Sequence, residues 1–500
     1  DRWFNPAGDQ AGEGEGEVVN WSGTHSCNPV KVHQPETVEE LTALVAKCDA
    51  QKRRLRPVGN ALSPNGIALS DDEMVSLAMM DKVLRVDKRK KRVTVQAGCS
   101  VGELCKELRK HGLVLGNLAS IAEQQVGGFL QIGAHGTGAA VPPVDMQCLE
   151  MKLVTPGRGP VTLKRDKDGE AFKAAQCGLG MFGVVYEVTL QCVPAHRLLE
   201  HTFTLTQEEV EAQHSELIKR HKHVRYHWIP YTEDVVVTTC DNYTLWNRLG
   251  FGLSKNALSE AERLEPLRDL LLESGAKTLQ DLQGLSFADL RTMLLEEKAL
   301  DVEHIKKVNR AEAEFWRRSE GNRIGYSDEI LQFDCGGQQW VLEMAIPAGT
   351  VKQPSHEDIQ YMKRLLRAIE ERQVPAPAPI EQRWTASSSA ALSPASSALP
   401  KSIYSWIGII MYLPLDDLKA RAEVTQRFKG YASLMRSVLN PFLQAQEHWA
   451  KIELPENEAE KQEMISRIRA RYPVARIKAL RNQFDPNNIL GNDLLDTLFL

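Results

Sequence analysis

Between Ala119 and Gly138 the chain reads ASIAEQQVGGFLQIGAHGTG, with five glycines (Gly127, Gly128, Gly133, Gly136 and Gly138) inside twelve residues. Apolar side chains and one histidine, His135, separate them. Glycine in the interior of an element costs about 0.5–1 kcal/mol relative to alanine. Five together need a reason, such as positive φ or a backbone that must touch something bulky. A flat cofactor carrying phosphates supplies one, because bare N–H groups can then reach its oxygens. A bulged pair of strands with tight turns is the other reading.

The elements around this stretch follow from periodicity. Thr37 and Glu40 have capping-box spacing, and Val38, Leu41, Leu44, Val45 and Cys48 share one helical face. RLRPVG at 54–59 reads as a strand entering the loop NALSPNG, and further strands are expected at 74–78, 83–87 and 91–97. Ser100 and Glu103 open a second helix that stops at Gly112. Strands at 149–154, 160–163 and 183–192 complete a mixed α+β unit over residues 30–195, preceded by an extended lead-in at 1–29. The second half reads β-α-β-β through residue 240, then charged helices over 255–320. From 338 it reads strand, helix 356–372 capped by Ser355, strand 380–386, strand 405–413, helix 416–439 and a strand in EHWAKIEL. That order is the ferredoxin-like β-α-β-β-α-β unit, so two such halves predict a broad antiparallel sheet with helices on one face. The Ala/Ser/Pro-rich segment 374–402 has a linker's composition. The strand count nevertheless requires 379–386 to be ordered, with 387–401 as a loop.

Composition excludes several classes. A net charge of −5 argues against nucleic acid as the main partner. The longest apolar run, IYSWIGIIMYL at 403–413, is about half a bilayer span and reads as a buried strand. Nine cysteines without CxxC pairs indicate neither a disulfide framework nor a zinc site, and no metal is expected. The chain opens on Asp1 rather than methionine, which is compatible with removal of a targeting segment.

GLGMFG at 178–183 matches GxGxxG, but VVYEVTLQ follows it as an alternating strand where a dinucleotide fingerprint needs a helix. Glu381 and Arg383, two apart on a strand, point to one face. A carboxylate beside a guanidinium can hold a hydroxyl while the cation stabilises developing negative charge; a structural ion pair would look the same. His448 and Lys451, three apart, share a strand face only if the backbone bulges. Cys335 in DCGGQQW reads as a loop thiol with no base beside it.

Several segments together resemble one family. RPVGNALSPNG (56–66), the glycine-rich stretch and GLGMFGVVYEVTLQ (178–191) are similar to the flavin-binding domain of the vanillyl-alcohol-oxidase/PCMH group. IEQRWT (380–385), EHWAK (447–451) and FDPNNIL (484–490) resemble its aldonolactone oxidoreductase branch, in detail the plant-type members acting on L-galactono-1,4-lactone. The resemblance implies a two-domain α+β flavoprotein. Its FAD-binding domain is expected at 30–195, a ferredoxin-like cap at 196–475, and a C-terminal segment, 476–500, returning to the first domain. FAD-binding positions carried over are Pro57, Val58, Gly59, Asn60, Ala61, Leu62, Ser63, Ala119, Ser120, Gln124, Gly127, Gly128, Gly133, Ala134, His135, Gly138, Gly178, Gly180, Gly183, Val184 and Val185. Leu62 stands where relatives with covalent flavin have histidine, so non-covalent FAD is expected. A small residue matching Ala119 lies near the flavin face that meets oxygen in the family, and its methyl favours a dehydrogenase over an oxidase. Glu381, Arg383, Lys451 and His448 are the implied catalytic positions, with Cys335 an oxidation-sensitive thiol near substrate. The implied reaction converts L-galactono-1,4-lactone to L-ascorbate with cytochrome c as acceptor, at the mitochondrial inner membrane facing the intermembrane space. An association with a respiratory complex I assembly intermediate is implied as well.

Overall fold

Thr37 and Ser100 cap their helices as their spacing predicts: each hydroxyl accepts an N–H three residues on, at 3.2 Å. Glu40 turns its carboxylate to the Glu36 amide at 2.9 Å, so the first box closes one residue early. The computed structural model describes residues 16–249, 258–273, 275, 277–332, 336–399, 401–415, 417–439 and 444–500. Cys335 lies outside them.

In the first lobe β1 (Val18–Val19) pairs with β2 (Ser26–Cys27). Strands β3 (Lys31–His33), β4 (Leu55–Val58) and β5 (Glu73–Ser76) form a parallel sheet in the order β3-β5-β4, with α1 (Val38–Ala50) as the crossover. Next come β6 (Val83–Asp87), β7 (Arg92–Gln96), α2 (Val101–Lys110), β8 (Leu113–Leu115) and α3 (Val126–Gln131). After β9 (Cys148–Thr155), β10 (Gly159–Lys164), α4 (Gly169–Gln176) and β11 (Val184–Pro194), the antiparallel order is β10-β9-β11-β7-β6, with β8 on β11. Alternation explains the packing. In β7, Val93 and Val95 are fully buried beside α2's Leu104 and Leu108, while Arg92 and Thr94 turn outward.

The second lobe is one eight-stranded antiparallel sheet. It begins with β12 (Arg197–Thr206), α5 (Gln207–Arg220), β13 (His223–Trp228) and β14 (Asp234–Asn242). A helical insertion follows: α6 (Leu245–Arg248), α7 (Glu260–Glu273), α8 (Phe287–Glu297) and α9 (Val302–Arg317), the last three sharing a leucine-rich core. Then come β15 (Gly321–Tyr326), α10 (Ser327–Leu331), β16 (Gln339–Thr350), α11 (Glu357–Glu371), β17 (Ile380–Ala386), β18 (Ser402–Tyr412), α12 (Leu418–Ser437) and β19 (Gln446–Glu447). Strand order is β15-β12-β14-β13-β17-β18-β16-β19. The last four strands have the ferredoxin-like arrangement expected from the sequence.

Alternation gives this sheet two unlike faces. Leu342, Met344, Ile407 and Ile409 pack on Ile359, Met362 and Leu365 of α11 and on Val424 and Phe428 of α12. The residues between them on each strand face the first lobe. Two local expectations are corrected. His356, at φ 61°, is the N-cap of α11, and Ser355 only accepts the Glu357 amide at 3.4 Å. EHWAKIEL is not a strand beyond Glu447: the amides of Lys451 and Ile452 both bond back to the His448 carbonyl, which curls the chain into a turn.

The chain then contributes α13 (Glu458–Arg471), α14 (Val474–Phe484) and α15 (Asp493–Phe499), whose Met464, Ile468, Phe484, Leu495 and Leu498 are buried in the first lobe's core. Ala390 and Leu392 of the serine-rich loop are buried there too, so this loop is a packed element despite its composition. Thr385 on β17 bridges to Gly138, where the lobes meet.

Candidate active site

A cleft of about 930 Å³ runs through the first lobe. It is lined by the loop after β4, by α3 and by the loop before β11. Of the residues marked by the sequence, Pro57 to Ser63, Gln124, Gly127, Gly128, Gly180, Gly183, Val184 and Val185 line it. A second cavity, about 1670 Å³, opens between the lobes and is lined by Ala119, Ser120, Ala134 and His135 together with Glu381, Arg383, His448 and Lys451. Leu62, Ser63, Gln124 and Ile132 line both, so the two spaces adjoin across these four side chains. Gly133, Gly138 and Gly178 line neither.

The glycines have distinct reasons. A Cβ on Gly136 would lie 2.1 Å from the Leu118 carbonyl, so that position is fixed by close approach. A Cβ on Gly128 would meet nothing within 4 Å and would project into open space. The Gly127 amide, expected to face a phosphate, is bonded to the Ala97 carbonyl at 2.9 Å. By contrast, the amides of Gly59 to Ser63 make no hydrogen bond among the described residues, and the buried Gln124 Oε1 has no partner. Unspent donors along an open cleft fit a phosphate-bearing cofactor.

The cavity face of the cap sheet is read from its register. His227, Glu381, Gly408 and Glu343 lie directly opposite one another on β13, β17, β18 and β16. Arg225, Arg383, Trp406 and Ala345 form the next row. Gly408 has no side chain, so the carboxylates of Glu343 and Glu381 flank an opening. Arg383 bonds both: its Nη2 is 3.2 Å from Glu381 Oε2 and 3.2 Å from Glu343 Oε1, and its Nη1 donates to Ser120 Oγ at 3.3 Å. His227 Nε2 is 3.7 Å from Glu381 Oε1, a buried oxygen that accepts no hydrogen bond among the described residues.

Glu343 was not legible as a site residue. Its carboxylate is 2% exposed and receives His135 Nε2 at 3.0 Å and Lys451 Nζ at short range. The turn at His448 brings Lys451 there, which answers how residues three apart can face one site. The His448 ring accepts the Ala450 amide at Nδ1, 3.1 Å, and His135 stacks on Trp406 with ring centres 3.7 Å apart. His135, Glu343 and His448 have ligand atoms all within 4.8 Å, as a metal site would, but Lys451, His135 and Arg383 already occupy both carboxylate oxygens.

Electrostatics set the protonation states. Burial alone would raise the carboxyl of Glu381, but Arg383 and His227 overcome it and hold it at about 2. Burial likewise opposes ionisation of Glu343, and Lys451, His135 and Arg383 bring it well below the usual carboxylate range. Burial pushes His135 and His227 down, and His448 far down, keeping the three rings neutral.

The two-domain α+β fold, with its cleft in the first lobe and a cavity under the antiparallel cap sheet, is that of vanillyl-alcohol-oxidase/PCMH-type flavoproteins. A solvent-stable cholesterol oxidase shares the fold, with a TM-score of 0.72 at 16% identity over 97% of each chain. The profile described as FAD binding domain matches residues 29–162, and that described as D-arabinono-1,4-lactone oxidase matches 188–498. L-galactono-1,4-lactone dehydrogenase, mitochondrial, of Arabidopsis thaliana is 49% identical over 96% of this chain and 81% of its own length. L-galactono-1,4-lactone dehydrogenase 2, mitochondrial, of Oryza sativa subsp. japonica is 49% identical over 96% of this chain and 83% of its own. The chain belongs to the FAD-dependent aldonolactone oxidoreductase family.

Proposed function

We propose that the chain oxidises L-galactono-1,4-lactone to L-ascorbate with non-covalent FAD. The observation that carries this is the Glu381–Arg383 pair facing a cavity that adjoins the nucleotide cleft. Relatives named for that activity, at 49% identity, support the substrate. The loop Gly59–Ser63 and the cleft side of α3 would hold the cofactor's phosphates, and residues 180–185 its adenosine end. Bound FAD supplies the two-electron acceptor.

The protein's own groups bind and orient. Glu381, ionised at neutral pH, takes the carbon-2 hydroxyl of the lactone as its hydrogen-bond donor at Oε1, which accepts no hydrogen bond among the described residues. Arg383 stabilises the negative charge that develops on that oxygen as the hydroxyl proton passes to Glu381 and the carbon-2 C–H bond breaks, the hydrogen leaving with its electron pair for the acceptor that bound FAD would supply. The resulting ketone enolises to the ene-diol. Lys451 would hold negative charge gathering on the reduced cofactor. Losing such a contact costs about 3 kcal/mol, or 10²–10³ in rate. Glu381→Gln and Arg383→Ala should therefore each lower kcat by about that factor while the purified protein stays yellow. Turnover near that of the parent in either variant refutes the assignment. Release of all yellow colour into the supernatant on acid precipitation tests non-covalent attachment.

Cytochrome c is the proposed acceptor, supported by the Ala119 methyl at the cavity wall. Cytochrome c reduction without matching peroxide is the expected result; stoichiometric peroxide in air would make the enzyme an oxidase. The proposed location is mitochondrial, as the relatives' names have it, at the inner membrane facing the intermembrane space. No helix among the described residues is long and apolar enough to cross a membrane. Capture of a complex I assembly intermediate by the Glu381→Gln protein would test a second, non-catalytic role.

A further inference from the structure

Glu381, Arg383 and Lys451 each have a task in the proposed reaction. Glu343, the least exposed charge among them, has none. It sits across Gly408 from Glu381 on the same sheet face, and three basic groups converge on it: Lys451 Nζ, His135 Nε2 at 3.0 Å and Arg383 Nη2 at 3.2 Å. These partners come from three separate places, the turn after β19, the glycine-rich stretch and β17, so one carboxylate ties both lobes to the cavity. A charge this far from water persists only when paired and hydrogen-bonded, and removing it strands its partners. Glu343 and Glu381 offset Lys451 and Arg383, while Arg225 and Arg291 line the same cavity as further cations, so every anion there counts toward its field.

We propose that Glu343 is a positioning residue: it fixes the Lys451 ammonium and the Arg383 guanidinium against the cavity and cancels one of their charges, setting the field the bound flavin meets. This rests on the reading that flavin and lactone share that cavity. Glu343→Gln leaves a surplus positive charge there, which favours the more negative, reduced cofactor. Glu343→Asp keeps the charge and shortens the arm.

The test is the flavin midpoint potential of the FAD-loaded protein, measured by anaerobic dye equilibration, alongside steady-state kinetics. Glu343→Gln should shift the oxidised-to-reduced ratio about tenfold, raising the potential by about 30 mV for a two-electron couple. Glu343→Asp should leave the potential unchanged yet lower kcat about tenfold, because Lys451 and Arg383 lose their shared anchor. Unchanged potential in the Gln variant, or equal shifts in both variants, overturns the proposal. Should the Gln variant fail to retain FAD, full kcat in the Asp variant overturns it, and reduced kcat at an unchanged potential supports it. The potentials need no lactone, so a parent that binds FAD but leaves the lactone untouched would defeat the substrate reading alone.

Discussion

Arg383 is shared by two carboxylates, and that sharing fixes how the site responds to pH. Glu381 titrates at about 2, below the ordinary glutamate value near 4.3, so it stays ionised across the neutral range. Arg383 is the leading stabilising charge. Replacing it with methionine should raise the Glu381 pKa by about 1–3 units. The acid limb of kcat/KM then moves upward into the measurable range, and a pH–rate profile of Arg383→Met against the parent checks this. An unmoved limb would mean that another group controls it. At Gly408 the expectation is different. A Cβ there meets Glu343 only at ordinary contact distances near 3.8 Å, so Gly408→Ala should fold normally. Its methyl projects between the two carboxylates, and KM for the lactone should rise severalfold with an unchanged melting temperature.

Among the elements, legibility tracked the kind of signal. Strands β16 and β18 were readable as long apolar runs, buried on both faces, and the ferredoxin-like order built on them required β17 in a segment of linker composition. The turn at His448 was not readable, since EHWAKIEL has strand composition and its curl comes from tertiary contacts of Glu343 and Trp449. For the same reason His448 and Lys451 looked unrelated. Glu343 itself was hidden because one acid in QQWVLEMAI resembles any outward-facing position of a half-solvated strand. Only the register, which sets it beside Gly408 and under the first lobe, shows otherwise. Helices α4, α13 and α14 are not legible from periodicity; of these only α13 is dominated by charge. The glycine-rich stretch was legible as a constraint but not in detail: Gly136 serves close packing and Gly138 the lobe contact. Gly136→Ala should accordingly abolish soluble, FAD-loaded protein, which absorbance at flavin wavelengths would report.

For the molecule as a whole, buried histidines make stability depend on pH. His223, at the junction beside Thr137, is pushed by burial to about 4, below the unfolded value near 6.5. Its folded form resists protonation, so stability is full above about 6.5 and declines as pH falls toward 4. The contribution is roughly 3 kcal/mol at the lower end. Melting curves of the parent should drop through that window, and those of His223→Gln should drop less; parallel curves would exclude His223 as a cause.

The last helices finish a core that the first two hundred residues begin. A nascent polypeptide therefore cannot complete that core until residues 476–500 have been made, and colour in a preparation would report that this segment is intact. Chains lacking residues 476–500 should emerge from the ribosome unable to retain pigment, even though every cleft-lining position lies far upstream of the cut.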